Sequence, residues 1–161
     1  MAMQHEFVFV SYEKGELSSE DFFWSDREFS YKDGTAVEEY VILSDEFIIY
    51  IMDFLQWLPT YNPSRKEDGF GLHYHGITKI EKEGANIAVN VFRSLIHLFS
   101  LAPETIELTG SFQWTYGTDD TNGEYEKLSF NRDILCAQLQ SLVTLFYKVK
   151  SEEGYILHFG I

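Results

Sequence analysis

The chain has 161 residues, 45% of them hydrophobic and 17% aromatic, a composition that excludes an intrinsically disordered protein. Its 26 Asp and Glu residues outnumber 12 Lys and Arg residues, giving a formal net charge of -14, which argues against binding to nucleic acid or to an anionic membrane surface. This charge predicts either a basic protein partner or simply a protein kept in solution by its acidity.

The sequence contains no feature that would divide it into separate domains. The sequence holds no internal repeat, low-complexity tract or Pro/Gly-rich linker, so we expect one domain over residues 1–161. Its start lacks the character of a secretion leader, which favours a cytoplasmic protein. The most apolar stretch, residues 47–58, is broken by Asp53 and Gln56 and is also too short for the roughly 30 Å hydrocarbon layer of a bilayer. Cys136 lies in an apolar helical run, where we expect a small buried hydrophobe and no nucleophile.

Strands open the chain and a capped helix follows them. Alternation predicts strands at residues 6–13 and around residues 22–31. Ser44 is the expected N-cap of the first helix, and Pro59 is the expected stop. The core-facing stripe of this helix is expected to contain Ile48, Ile51, Met52, Leu55 and Leu58.

The first helix is also apolar away from that stripe. The additional apolar residues are Phe47, Ile49, Tyr50, Phe54 and Trp57. A helix that is apolar on more than one side is either deeply buried or covered by another chain. That chain is a different protein or a second copy of this one, so a homodimer is possible.

The remaining elements alternate between strand and helix. In order we expect a loop at residues 60–69, a strand at 71–81, a helix at 85–100, strands at 105–116 and 124–130 joined by a turn, a helix from Asn131, and a final strand at 155–161. The first strand of the hairpin is expected to bury Ile106, Leu108, Phe112, Trp114 and Tyr116. Together the elements predict an α+β fold, a largely antiparallel sheet with about three helices packed on one face.

Two histidines in the segment GLHYHGITKI raise the question of a metal site. His73 and His75 share one side of the predicted strand, and His158 in the last strand has an alternation that allows it to face the same way. If those strands are neighbours, three imidazoles converge as in a catalytic zinc site. No carboxylate stands at a diagnostic spacing, and the pattern favours a polar sheet face whose histidines meet water. A metal-binding protein or small metalloenzyme is the alternative function.

The acidic residues cluster in the N-terminal third and at the predicted hairpin turn. Glu38, Glu39, Asp119 and Asp120 are the candidates for contacting a cationic protein, with Trp24 as an aromatic anchor. The competing interpretation is that these residues occupy solvated loops and strand edges.

The segments LSDEFIIYIMDFLQWLPT and GFGLHYHGITKI resemble the small cytosolic immunity proteins of bacterial polymorphic-toxin systems. The resemblance implies a protein that binds one cognate toxin domain and neutralises it by stoichiometric occlusion, with no catalysis. It identifies no toxin-facing residue. The residues themselves point the same way, since the chain is acidic and aromatic-rich and carries no recognisable catalytic or cofactor-binding motif, so we expect no cofactor.

Overall fold

The computed structural model describes residues 3–25, 29–114, 123–151 and 153–161, which form three α-helices and ten β-strands. The helices are α1 (Asp45–Leu55), α2 (Lys82–Ser100) and α3 (Arg132–Lys150). The strands are β1 (Gln4–Ser11), β2 (Phe22–Trp24), β3 (Phe29–Tyr31), β4 (Tyr40–Ser44), β5 (Pro59–Asn62), β6 (Glu67–Phe70), β7 (Ile77–Ile80), β8 (Thr105–Trp114), β9 (Gly123–Asn131) and β10 (Gly154–Phe159).

Six of the described strands form one antiparallel sheet in the order β4-β1-β10-β7-β5-β6. The strands from the two ends of the chain, β1 and β10, are central neighbours. Side chains alternate along β1, so His5, Phe7 and Phe9 lie on the helix side while Val8 and Val10 lie on the other. This arrangement confirms the predicted α+β fold.

The helices form their core on one face of that sheet. α1 contributes Phe47, Ile48, Ile51 and Leu55, all essentially buried, and α2 and α3 pack against each other over the same cluster. Gly84 in the first turn of α2 permits a close approach, because a Cβ there would lie 2.3 Å from the carbonyl oxygen of Pro59. The sheet and the helices therefore meet without an intervening side chain at this point.

Local capping chemistry sets where two helices begin. The hydroxyl of Ser44 accepts from the backbone N–H of Phe47, and Oδ1 of Asn131 accepts from that of Ile134 at 3.0 Å. The predicted N-cap at Ser44 is confirmed, and the helix predicted to start at Asn131 has that residue as its N-cap. Cys136, expected to be buried, is half-buried on α3 beside the core, and burial raises the pKa of its thiol.

The opposite face of the sheet is covered by the small β2–β3 hairpin. Phe22 and Phe29 of this hairpin pack on the strands below them. The strand residues in this second cluster are Val8, Val10, Tyr155 and Leu157. The single strand predicted around residues 22–31 is therefore two short strands.

The β8–β9 hairpin stands outside the main sheet, and only its base joins the core. Ile106 is buried and Leu108 half-buried, whereas Phe112 and Trp114 are exposed beyond a register shift that lies between Thr109 and Phe112. The prediction of one buried face along the whole strand is wrong, because the bulge rotates the distal residues away from the base. Tyr116 lies outside the described residues.

The predicted strand at residues 71–81 is shorter than expected. Only Ile77–Ile80 forms a strand, since Gly71 and Gly76 have φ angles of 80° and 89°, which an extended strand does not accommodate. The predicted loop at residues 60–69 is instead the hairpin β5–β6, and β4 was not predicted. Lys79 of β7 is buried and donates to Oε1 of Glu16 at 2.8 Å.

Candidate functional site

The histidines singled out in the sequence do not share one site. His73 and His75 lie in the loop before β7, where His75 is exposed and its Nδ1 is 2.9 Å from the carbonyl oxygen of Ile161. His158 is fully buried on β10 and faces the helices. Among the described residues, no group of three His, Cys, Asp or Glu side chains has an arrangement able to hold a metal ion.

His158 belongs instead to a buried hydrogen-bonded network that the sequence analysis missed. His5 Nε2 is 3.0 Å from Oδ1 of Asp45, and His5 Nδ1 is 2.8 Å from Nε2 of His158. The hydroxyl of Tyr74 donates to the other oxygen of Asp45 at 3.2 Å. A detectable signal was present, because alternation puts His5 on the same side of β1 as Phe7 and Phe9, which is a core position.

The protonation of the network follows from its acceptors. Because a carboxylate only accepts, Nε2–H of His5 donates to Asp45, and the contact between Nδ1 of His5 and Nε2 of His158 is a single hydrogen bond whose donor depends on the tautomers of the two rings. Nδ1 of His158 has no partner among the described residues. Burial holds the pKa of His158 well below its ordinary value, and His158 is therefore neutral at pH 7.

The Asp45–His5 pair resembles the carboxylate–histidine pair of a catalytic triad, but the group beyond the histidine is different. A carboxylate that orients a histidine typically prepares its second nitrogen to deprotonate a hydroxyl or thiol. In the described part of the chain, the second nitrogen of His5 meets another imidazole, and the only hydroxyl in the network belongs to Tyr74 on the carboxylate side. The arrangement holds β1, β10 and the start of α1 together.

The residues predicted to contact a partner are partly brought together. Trp24 is half-exposed on β2, stacks on Phe29 at 4.1 Å between ring centroids, and meets Tyr40 edge to face. Glu38 is exposed, whereas Glu39 forms an ion pair with Lys148 of α3. Asp119 and Asp120 lie outside the described residues.

A different surface is more distinctive, and it lies on the outer side of α1. Its exposed side chains recur at positions i, i+3, i+4, i+7, i+8 and i+11, the spacing of one helical face continued just past the helix end. We call this face the α1 outer stripe; it comprises Glu46, Ile49, Tyr50, Asp53, Phe54 and Trp57. Four of these six residues are apolar or aromatic and two are carboxylates.

The stripe borders an apolar groove between α1 and α2. Two cavities of about 410 Å³ and 660 Å³ share Phe54, Leu95 and Leu98 in their walls, so they form one continuous depression. We call it the α1–α2 groove; its principal apolar walls are Tyr50, Phe54, Trp57, Leu95, Leu98 and Leu101. Leu98 and Leu101 are 60% and 74% exposed, which is unusual for leucines that adjoin a core.

None of the helices in the described part of the chain combines the length and apolarity that crossing a bilayer requires. Compared with known protein families, curated proteins and solved structures, the chain gives no significant match. The resemblance to immunity proteins therefore stays a prediction, and the geometry of the molecule has to carry any functional assignment.

Proposed function

We propose that this chain is a cytoplasmic immunity protein of a bacterial toxin system, which captures a basic toxin domain and neutralises it by stoichiometric occlusion. The observation that carries the proposal is the α1 outer stripe, an exposed helical face on which aromatic residues alternate with carboxylates. Aromatic anchors beside charge are typical of protein interfaces, and a stripe of this kind is unfavourable to leave in water.

Charge supports a basic partner. Between Lys32 and Arg65 the chain carries six carboxylates and no Lys or Arg, and two of the six, Glu46 and Asp53, lie on the stripe. A field of one sign attracts a basic surface before contact and accelerates the encounter at low salt. Burial of the aromatic side chains then stabilises the complex, at roughly 25 cal/mol for each Å² of apolar surface removed from water.

The stripe is also rigid, as an occluding surface needs to be. The opposite side of α1 is anchored by Phe47, Ile48, Ile51 and Leu55, each at most 1% exposed. Binding through such a face orders little that was mobile before, so less of the interaction free energy is lost as conformational entropy. Occlusion requires only this preformed surface and no chemical step by the inhibitor.

The test uses the product of the adjacent reading frame as the candidate toxin. Co-expression should abolish its toxicity, and titration of the purified proteins should reach full inhibition at a 1:1 ratio with an affinity that falls as salt rises. Asp53→Lys should weaken inhibition, whereas the matched charge reversal Glu83→Lys, on an exposed residue at the start of α2, should leave it nearly unchanged. Protection by far less than one equivalent would indicate turnover and overturn the proposal, as would toxicity that the chain does not relieve.

A further inference from the structure

We propose that the α1–α2 groove receives one amphipathic helix of the partner, with an apolar face inward and lysine or arginine side chains along its edges. This inference rests on the proposed function, because it names the element of the toxin that the acidic surface engages. It also places the principal contact away from Trp24, the anchor that the sequence predicted, which stacks on the β2–β3 hairpin at the opposite face of the main sheet.

The groove has two walls with the same spacing. Tyr50, Phe54 and Trp57 on the α1 side, and Val91, Leu95 and Leu98 on the α2 side, both follow the pattern i, i+4, i+7. Helices pack by inserting ridges of side chains with this spacing into the grooves of their neighbours. A third helix with apolar residues at the same intervals therefore matches the depression between the two walls.

The backbone chemistry of the walls favours a helix over an extended segment. α1 and α2 bond their own N–H and C=O groups internally, so these two walls offer side chains and no strand edge. An extended peptide laid along them leaves its backbone groups without partners as water is excluded, whereas a helix satisfies its own.

The charged rim favours a basic occupant. Glu107 lines the far end of the groove, and Asp53 lies on the α1 outer stripe beside the wall residues Tyr50, Phe54 and Trp57. The polar residues in the α2 wall are the uncharged Asn90 and Ser94. The nearest cation of α2 in sequence, Arg93, donates a hydrogen bond to the hydroxyl of Tyr147 on α3.

The same charges disfavour a second copy of this chain as the occupant. Each copy carries a formal net charge of -14 and brings the same carboxylates to the rim of the groove. Two such rims face each other with like charges in a symmetric dimer, because the same patch is used by both copies. A partner with opposite charge gains from the contact that a second copy opposes.

The experiment uses the full chain and two synthetic helical peptides of about 18 residues that place Leu at i, i+3, i+4 and i+7 and fill the other positions with Lys in one and Glu in the other. The readout is the indole N–H signal of Trp57 in a ¹⁵N-labelled protein, assigned with the variant Trp57→Phe. We expect the Lys peptide to shift this signal with saturation at 1:1. We expect the Glu peptide to leave it in place.

Matched variants distinguish binding of the peptide in the groove from nonspecific binding elsewhere on the protein. Leu98→Glu should weaken binding of the Lys peptide at least about tenfold, the usual effect of truncating or charging an interface anchor. Ile134→Glu, on an α3 residue that is 63% exposed and lies outside the groove, should change it less than twofold. If Leu98→Glu does not fold, Leu101→Glu replaces it, since that side chain is 74% exposed.

Three results overturn the assignment of the groove. The first is a Trp57 signal that the Lys peptide does not shift. The second is an equal loss of Lys-peptide affinity in Leu98→Glu and Ile134→Glu. The third is a Trp57 signal of the free chain that shifts with protein concentration, which would make a second copy the occupant. Neutralisation of the toxin is measured in a separate experiment. If the Leu98→Glu variant still neutralises the toxin, the groove is not the binding site, but the proposed function stands. If the peptide binds in the groove but the chain neutralises no toxin, the groove is a binding site and the proposed function is wrong.

Discussion

His5 and His158 share a 2.8 Å hydrogen bond in the core although 153 residues separate them in the chain. The bond continues through His5 to Asp45, whose carboxylate also accepts from the hydroxyl of Tyr74. One buried carboxylate therefore satisfies donors from β1 and from the loop before β7, while His5 links it to β10. Loss of that carboxylate leaves the buried Nε2–H of His5 and the half-buried hydroxyl of Tyr74 without this acceptor.

Asp45→Ala should therefore destabilise the protein by about 2–4 kcal/mol, since unsatisfied buried donors each cost about 1–3 kcal/mol. Asp133→Ala is the matched control, because Asp133 is also acidic in the first turn of a helix but is exposed and pairs with Arg132. Both variants lose a favourable interaction with the helix dipole, and the control should lose no more than about 1 kcal/mol. Chemical denaturation measures both; equal losses would mean that the network contributes little.

The neutral state of His158 predicts an acid-sensitive fold. Because burial lowers the pKa of His158 in the folded state, the unfolded chain binds a proton first as pH falls below the ordinary histidine pKa of 6.5. Stability contributed by neutral His158 is present above pH 6.5 and is progressively lost below it. His158→Gln keeps an amide that can donate or accept a hydrogen bond near the Nε2 position and does not titrate, so its free energy of unfolding should fall less steeply below pH 6.5 than that of the native chain.

Glu6 predicts a pH dependence of the opposite sign. Burial raises the pKa of Glu6 from 4.5 to about 7, so its contribution to stability is fully present below pH 4.5 and is lost as pH rises to about 7. Glu6→Gln should be more stable than the native chain above pH 7, and this advantage should vanish towards pH 4.5. Glu13→Gln, on an exposed residue, is the control. An advantage that does not change with pH would assign the effect to packing and not to ionisation.

The close approach at Gly84 predicts that a better helix former is harmful there. Alanine favours helices over glycine by about 1 kcal/mol, but its Cβ at this position would meet the Pro59 carbonyl at 2.3 Å. Gly84→Ala should therefore lower stability by about 1–3 kcal/mol, the usual cost of overpacking a core. Gly69→Ala has open space around the new methyl group and should change stability by less than about 0.5 kcal/mol. Thermal unfolding of the two variants checks the contrast.

The features that could be predicted from the sequence, such as the helix caps, are those that depend on interactions between neighbouring residues. The caps at Ser44 and Asn131 act within three residues of themselves, so the sequence contains the information needed to place them. Short strands are different: Glu67–Phe70 is polar and exposed, and it is a strand because β5 supplies its hydrogen bonds. Tertiary pairing of this kind overrides local preference.

The candidate sites depended even more on long-range placement. His5 could be assigned to the core face of β1, but its pairing with His158 required knowing that the first and last strands are neighbours. The sequence likewise revealed apolar residues on both sides of α1 without revealing which side the rest of the chain covers. Only the packing of Phe47 and Ile51 inward leaves Tyr50 and Phe54 outside.

The α1 outer stripe and the surface that contains Trp24 and Glu38 give different predictions for the kinetics of the toxin complex. If α1 is the interface, Asp53→Lys should slow association about tenfold at low salt, because rim charges act mainly on the encounter, and should change dissociation little. Trp57→Ala, which removes a 59% exposed side chain beside the groove, should instead speed dissociation at least about tenfold. Trp24→Ala and Glu38→Lys, at residues that the sequence predicted to contact a partner, are the controls and should leave both rates within about twofold. The reverse pattern, large effects at Trp24 and Glu38 with small ones at Asp53 and Trp57, would return the interface to the surface that the sequence predicted.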